Sequence, residues 1–400
     1  MHRDREKHLR PVLLIGFMIL VIAALIFFPL RIQAQEEIGG EMEDGNEIVD
    51  LEFMGDYWRE VEQEAGEYFP EIHWYDAFAW FKPGGGGPDL REIPGGLARF
   101  LFKEILLNVQ FLGKLLVLAI AAAFLKNLQT AFESRNVAWV TGGVILLVLI
   151  ALILPGFMAA MDLARDTVNN MVDFIFSLIP VLIVLLSSLG SFSAAKLFQP
   201  AVIFGINFFS AAIRNFVFPL IFFSTVLALV DSISPRLKVD RLAKFFRDLC
   251  VWVLGMTLVL FITLVCVKGL TGMVGDAITL KTAKYLSSTF IPVIGKVLSD
   301  AAETVVGATL LFNNGAALAG IIVLIMLALF PILKMFVLFF IYRMAAAMVQ
   351  IVGESSLGDC LDAMGNSMML IIASLAGVTL VFFIAVVVIV AAGNLSIMMR

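Results

Sequence analysis

The stretch Thr289–Ala317, TFIPVIGKVLSDAAETVVGATLLFNNGAA, decides how the chain is read. It sits deep in an apolar sequence, yet it carries Lys296, Asp300 and Glu303. In a helix these three recur at i, i+4 and i+7 and therefore share one face, with Ser299, Thr304 and Gly307 on or beside it. Val297, Leu298, Ala301, Val305 and Val306 take the other side. Pro292 suits the first turn of such a helix, and Asn313-Asn314-Gly315 reads as its stop. Ionised groups are costly in hydrocarbon, so this face must meet protein, water or the lipid interface. Two readings stay open: a polar pathway through the membrane, joined by the isolated Arg214, or a helix lying at the lipid surface.

Around this stretch the composition is that of a membrane protein. Apolar residues make up 60% of the chain and charged residues 15%. A water-soluble fold cannot hide that much hydrocarbon, so the expected class is all-α, a polytopic transmembrane helical bundle. The net charge of −5 comes mostly from the acidic segment between Glu36 and Glu92 and does not point to nucleic acid. Cys250, Cys266 and Cys360 lie in or beside apolar runs, with neither CxxC spacing nor an even count. They read as small buried hydrophobes.

In chain order, residues 1–34 form a basic start and an apolar run, a signal peptide or a retained N-terminal anchor. Residues 35–96 are then an acidic exported segment and linker, with room for one helix near Leu51–Tyr68. Trp74, Tyr75, Phe78, Trp80 and Phe81 form either an interfacial aromatic cluster or a contact patch for another protein. The run Gly84–Gly87 lacks the residues of a phosphate-binding loop. Residues 97–173 hold an amphipathic helix and two spans, 174–275 and 276–393 two membrane repeats, and 394–400 a short tail. The basic helix at 236–248 is expected on the cytoplasmic face.

The two repeats rest on an internal duplication. Ile179-Pro180-Val181 matches Ile291-Pro292-Val293, and Phe218-Pro219-Leu220 matches Phe330-Pro331-Ile332, at one constant offset. Proline removes a helix donor, so Pro180, Pro219, Pro292 and Pro331 are expected to break helices. Paired broken helices build sites at membrane mid-depth in many transporters.

Catalytic chemistry finds no footing. His2, His8 and His73 are the only histidines, and no nucleophile–base set, metal cluster or cofactor motif can be assembled. The chain reads as a non-enzyme without a metal or cofactor, in contact with membrane lipid, and a homo-oligomer stays open.

The turn FLKNLQTAF (Phe124–Phe132) and the block FIPVIGKVLSDAAETVVGATL (Phe290–Leu310), followed by a closing polar helix and span, resemble the stage III sporulation protein AE family. The resemblance covers about residues 97–400. It implies a multi-pass protein of the mother-cell membrane around the forespore, in endospore-forming bacteria. It further implies a place in the channel complex joining the two compartments, with ring-forming partners and a separate ATPase. The family brings no catalytic residues. A stand-alone secondary transporter is the other reading of the same sequence.

Overall fold

In hydrocarbon a backbone N–H or C=O has no water to bond, so a chain this apolar satisfies its backbone within helices. The computed structural model describes residues 52–65, 93–131, 135–188, 192–233, 239–290, 294–351 and 355–398. Among the described residues every regular element is helical. The helices are α1 (Glu52–Ala65), α2 (Ile93–Ala131), α3 (Arg135–Ser188), α4 (Phe192–Ala212), a π turn (Ile213–Val217), α5 (Phe218–Ile233), α6 (Asp240–Phe290), α7 (Ile294–Ile351) and α8 (Ser355–Met398). Six stretches are long and apolar enough to cross a membrane: Pro94–Leu125, Gly143–Ser188, Gln199–Ser232, Asp240–Val265, Asn314–Ile351 and Ser356–Ala391.

α8 is the centre of the assembly. It packs along α7 and also touches α3, α4, α5 and α6. Its inward positions Leu361, Met364, Met368, Ile371, Leu375 and Val378 are all fully buried, the i, i+3, i+4 rhythm of an enclosed helix. α2 lies outside, against α7 and α3. α1 docks on α7 and α3, with Trp58 buried and the Tyr57 ring edge-on to Phe174 at 5.2 Å. The helix expected over Leu51–Tyr68 is thus present in shorter form, with its Trp inward.

Cross-helix contacts fix the relative depth of each helix. The Tyr342 hydroxyl of α7 donates to the Ile153 carbonyl of α3 at 3.1 Å, and its ring meets Phe111 of α2 at 5.8 Å. Phe157 of α3 stacks on Phe222 of α5 at 6.5 Å. Three residues further along α5, the Thr225 hydroxyl lies 2.7 Å from that of Ser367 on α8. Ser224 donates to the Ala243 carbonyl of α6 at 2.8 Å. These contacts form one level, called here the Tyr342 level. Beyond it, Gly320 of α7 meets Leu178 of α3, and Gly205 of α4 meets Phe261 of α6. A Cβ on Gly320 would stand 2.5 Å from Leu178 Cδ2. Overpacking of this kind costs about 1–3 kcal/mol. Gly320→Ala should therefore lower the melting temperature in detergent, and an unchanged melt would show that α3 and α7 can part without cost.

Several expected ends are not helix ends. α3 runs on through Pro155 and Pro180, and α7 through Pro331. Proline lacks a donor, but neighbouring helices can hold such a turn together, so it kinks without terminating. The expected break at Pro180 and at Pro331 is corrected accordingly. Pro219 does follow an irregular segment, the π turn. Pro292 lies outside the described residues. The sequence Asn313-Asn314-Gly315 is no stop either: α7 continues through it, and Gly315, Ala316 and Ala317 are buried. α3 also crosses the boundary drawn between residues 173 and 174. The duplication gains no support from the helix ends: Ser188, the end of α3, corresponds by the offset to Asp300, inside α7.

Candidate functional site

The polar face that opened the sequence reading lies on the first turns of α7. Its backbone is helical from Ile294, so Lys296, Asp300 and Glu303 share a face, with Ser299 beside them. Their side chains lie outside the described residues. The aromatics Trp74, Tyr75, Phe78, Trp80 and Phe81 and the N-terminal 1–34 also lie outside them.

Arg214 sits in the π turn between α4 and α5. The wider turn inserts one extra residue and re-aims the side chains around it, a device often found where a side chain has work to do. Arg214 Nη1 donates to Asn169 Oδ1 of α3 at 2.6 Å, which gives a charge inside a greasy run a polar partner. Asn169, itself half-buried, shares one face of α3 with the exposed Asp162, Asp166 and Asp173, spaced by helical turns. Arg165 pairs with Asp162 at 3.5 Å. The structure does not bring Arg214 beside Lys296. α3 and α7 are antiparallel, and Gly320 already lies past Asn169, level with Leu178. From the level of Asn169 to Lys296 is about 50 Å along α7, at about 1.5 Å per residue.

A second polar centre, missed in the sequence, joins α7 to α8. Arg343 Nη1 donates to Asp362 Oδ1 at 2.8 Å, and Nη2 to Asn366 Oδ1 at 2.7 Å. Gly365 leaves the room: a Cβ there would lie 3.3 Å from Arg343 Nε. Phe339 faces the guanidinium at 5.7 Å from its ring centroid. The pair is partly open, with side chains 38% and 34% exposed, so its attraction is weaker than that of a sealed ion pair. Ser367, next to Asn366, carries the hydroxyl pair with Thr225. Arg343, Asp362, Asn366, Ser367, Thr225 and Ser224 thus form one polar layer across α5–α8 at the Tyr342 level. Sequence carried the signal: an arginine in an apolar run needs a partner, and the closing polar helix offered Asp362.

The same end of the bundle is stitched by Asp231. Its Oδ1 accepts from the backbone N–H of Val239 at 3.1 Å and of Asp240 at 3.0 Å, capping the start of α6 from the end of α5. Arg241, Lys244 and Arg247 follow in the first turns of α6. Cys250 and Cys360 are fully buried, as expected of small hydrophobes. Among the described residues no group of three or more His, Cys, Asp or Glu is placed to hold a metal ion.

No solved structure matches this chain. A relative from Bacillus subtilis (strain 168), stage III sporulation protein AE, is 36% identical over 352 residues, covering 88% of each chain. The family model described as stage III sporulation protein AE matches residues 75–393. With an all-helical body, six membrane-length helices and these matches over most of its length, the chain belongs to the stage III sporulation protein AE family.

Proposed function

We propose that the chain is a non-catalytic membrane part of the complex that connects mother cell and forespore. It sits in the mother-cell membrane, with its N-terminal segment exported. Its partners are ring-forming components and a separate ATPase. The observation that carries this reading is the relative named for sporulation, aligned over 88% of both chains. The bundle adds support: its polar contacts tie helices to one another, as in a scaffold. The aromatics Trp74, Tyr75, Phe78, Trp80 and Phe81 are the proposed contact with those partners. Photocrosslinkers placed there should capture an exported or membrane partner during spore formation. Recovery of the uncrosslinked chain alone would remove that contact.

The alternative is a secondary transporter. The observation in its favour is the charged face of α7, with three ionisable residues spaced along one side of a helix in a membrane chain. The purified chain in liposomes should move a small solute unaided if it is a transporter. A part of a larger complex should be silent alone. On the pathway reading, replacing Asp300 and Glu303 together by Ala should abolish spore formation at normal protein abundance. Full sporulation by that variant would end the pathway idea.

A further inference from the structure

The Tyr342 level marks a water boundary on one side of the bundle. Asp240, Arg241, Lys244, Arg247, Arg343 and Asp362 gather at or near it. From there α6 runs uncharged from Leu249 to Val267, a length of about 28 Å at about 1.5 Å per residue. That is close to the hydrocarbon thickness of about 30 Å. Trp252, Met256, Val259 and Leu260 are exposed along it, and Phe204 and Phe208 of α4 and Phe216 of the π turn are exposed at the same depths. This greasy belt is the part of the bundle made for acyl chains.

α2 and α3 do not share its register. At belt depth α3 presents Asp162, Asp166 and Asp173 to the exterior, and α2 presents Lys103. Their own uncharged runs, 115–125 and 136–161, lie largely on the other side of the Tyr342 level, because Phe111 and Ile153 are at it. There Val117, Ile120 and Phe124 are 68%, 61% and 63% exposed, and Val144, Leu147 and Val148 are exposed too. The midpoints of the two greasy bands are displaced along the bundle by roughly twenty residues, about 30 Å. One bilayer cannot hold both in this arrangement.

We infer that the part of the α2–α3 hairpin beyond the Tyr342 level, residues 112–131 of α2 and 135–154 of α3, is a membrane-docking element that lies in the lipid leaflet next to that level. It bends away from the bundle axis at two weak points at that level. In α3 these are Pro155 and Gly156, where proline leaves the Ala151 carbonyl without its helical donor. In α2 it is Gly113, which has open space around it. Leu115, Ala119 and Ala122 of α2 and Leu146 and Leu149 of α3 are buried, and α2 packs on α3. Its apolar flanks fit acyl chains. Lys114, Lys126 and Arg135 punctuate its ends and suit anionic headgroups. The inference depends on the chain being a membrane protein and on no particular partner.

Nitroxide labels test it, on Cys substitutions at Ile120, Leu147, Phe208 and Met256, with Cys266→Ala and the buried Cys250 and Cys360 left in place. The full chain is reconstituted in nanodiscs of phosphatidylethanolamine and phosphatidylglycerol. Labels at Ile120 and Leu147 should be relaxed by oxygen and shielded from a water-soluble nickel chelate, as at Met256. Replacing both Lys114 and Lys126 by Glu, or Pro155 by Ala, should shift the two hairpin labels toward nickel access while Met256 stays unchanged. Nickel access at Ile120 and Leu147 in the parent would overturn the inference. So would shielding from both reagents with a short spin–spin distance between molecules, because the hairpin would then dock on a second copy.

Discussion

Tyr342→Ala should be the most damaging single truncation in the bundle. Among the described residues Tyr342 is the largest fully buried side chain, and it joins three helices at once. Its ring meets Phe111 of α2, and its hydroxyl reaches the Ile153 carbonyl of α3 beside Gly156, where an added Cβ would lie 2.9 Å from the oxygen. Emptying a buried aromatic site costs about 3–5 kcal/mol, a large part of the stability of most domains. Tyr342→Phe keeps the ring and loses one hydrogen bond to a carbonyl, a loss of about 0.5–1.5 kcal/mol. The Ala variant should show a clear drop in melting temperature in detergent and reduced abundance in the membrane, and the Phe variant little of either. Equal behaviour of the two would mean that the hydroxyl, and not the ring, holds α3 to α7.

Asp362→Leu should rank second. It strips the Arg343 guanidinium, at the boundary of the bundle, of its carboxylate and leaves the bond to Asn366. A hydrogen bond to a charged group contributes about 1.5–3 kcal/mol, and the partial exposure of this pair places the loss at the low end. An unpaired charge among packed helices is worse than no charge, so the double change Arg343→Leu with Asp362→Leu should recover much of the loss. Membrane abundance and spore counts for the two singles and the double read this directly. A double variant as weak as Asp362→Leu would show that the carboxylate acts through a group other than Arg343.

Much of the architecture was legible because membrane physics leaves few choices. Uncharged runs of span length must be helices, and Cys250 and Cys360, in or beside them, are buried. What failed was punctuation. Pro180, Pro331 and Asn313-Asn314-Gly315 would end a helix in water, where the freed groups and the polar side chains have an alternative. Packed against neighbours they do not, and the helix runs on. Pairing failed for another reason. Arg214 was seen but Asn169 was not, and the Arg343–Asp362 pair was missed, because which helices touch is not written in local periodicity. The centrality of α8 was equally hidden: its sequence looks like any other span.

The Asp231 stitch has a mechanical outcome. With the start of α6 capped by a carboxylate of α5, and the Ser224 hydroxyl on the Ala243 carbonyl, those two helices cannot shear past each other at that end without losing both bonds. The Thr225–Ser367 link continues the chain of bonds into α8. A pull on the cationic first turns of α6, from whatever grips them, is therefore not absorbed by the short connection between α5 and α6. It arrives as strain at the axle of the assembly, where α8 touches nearly every other helix.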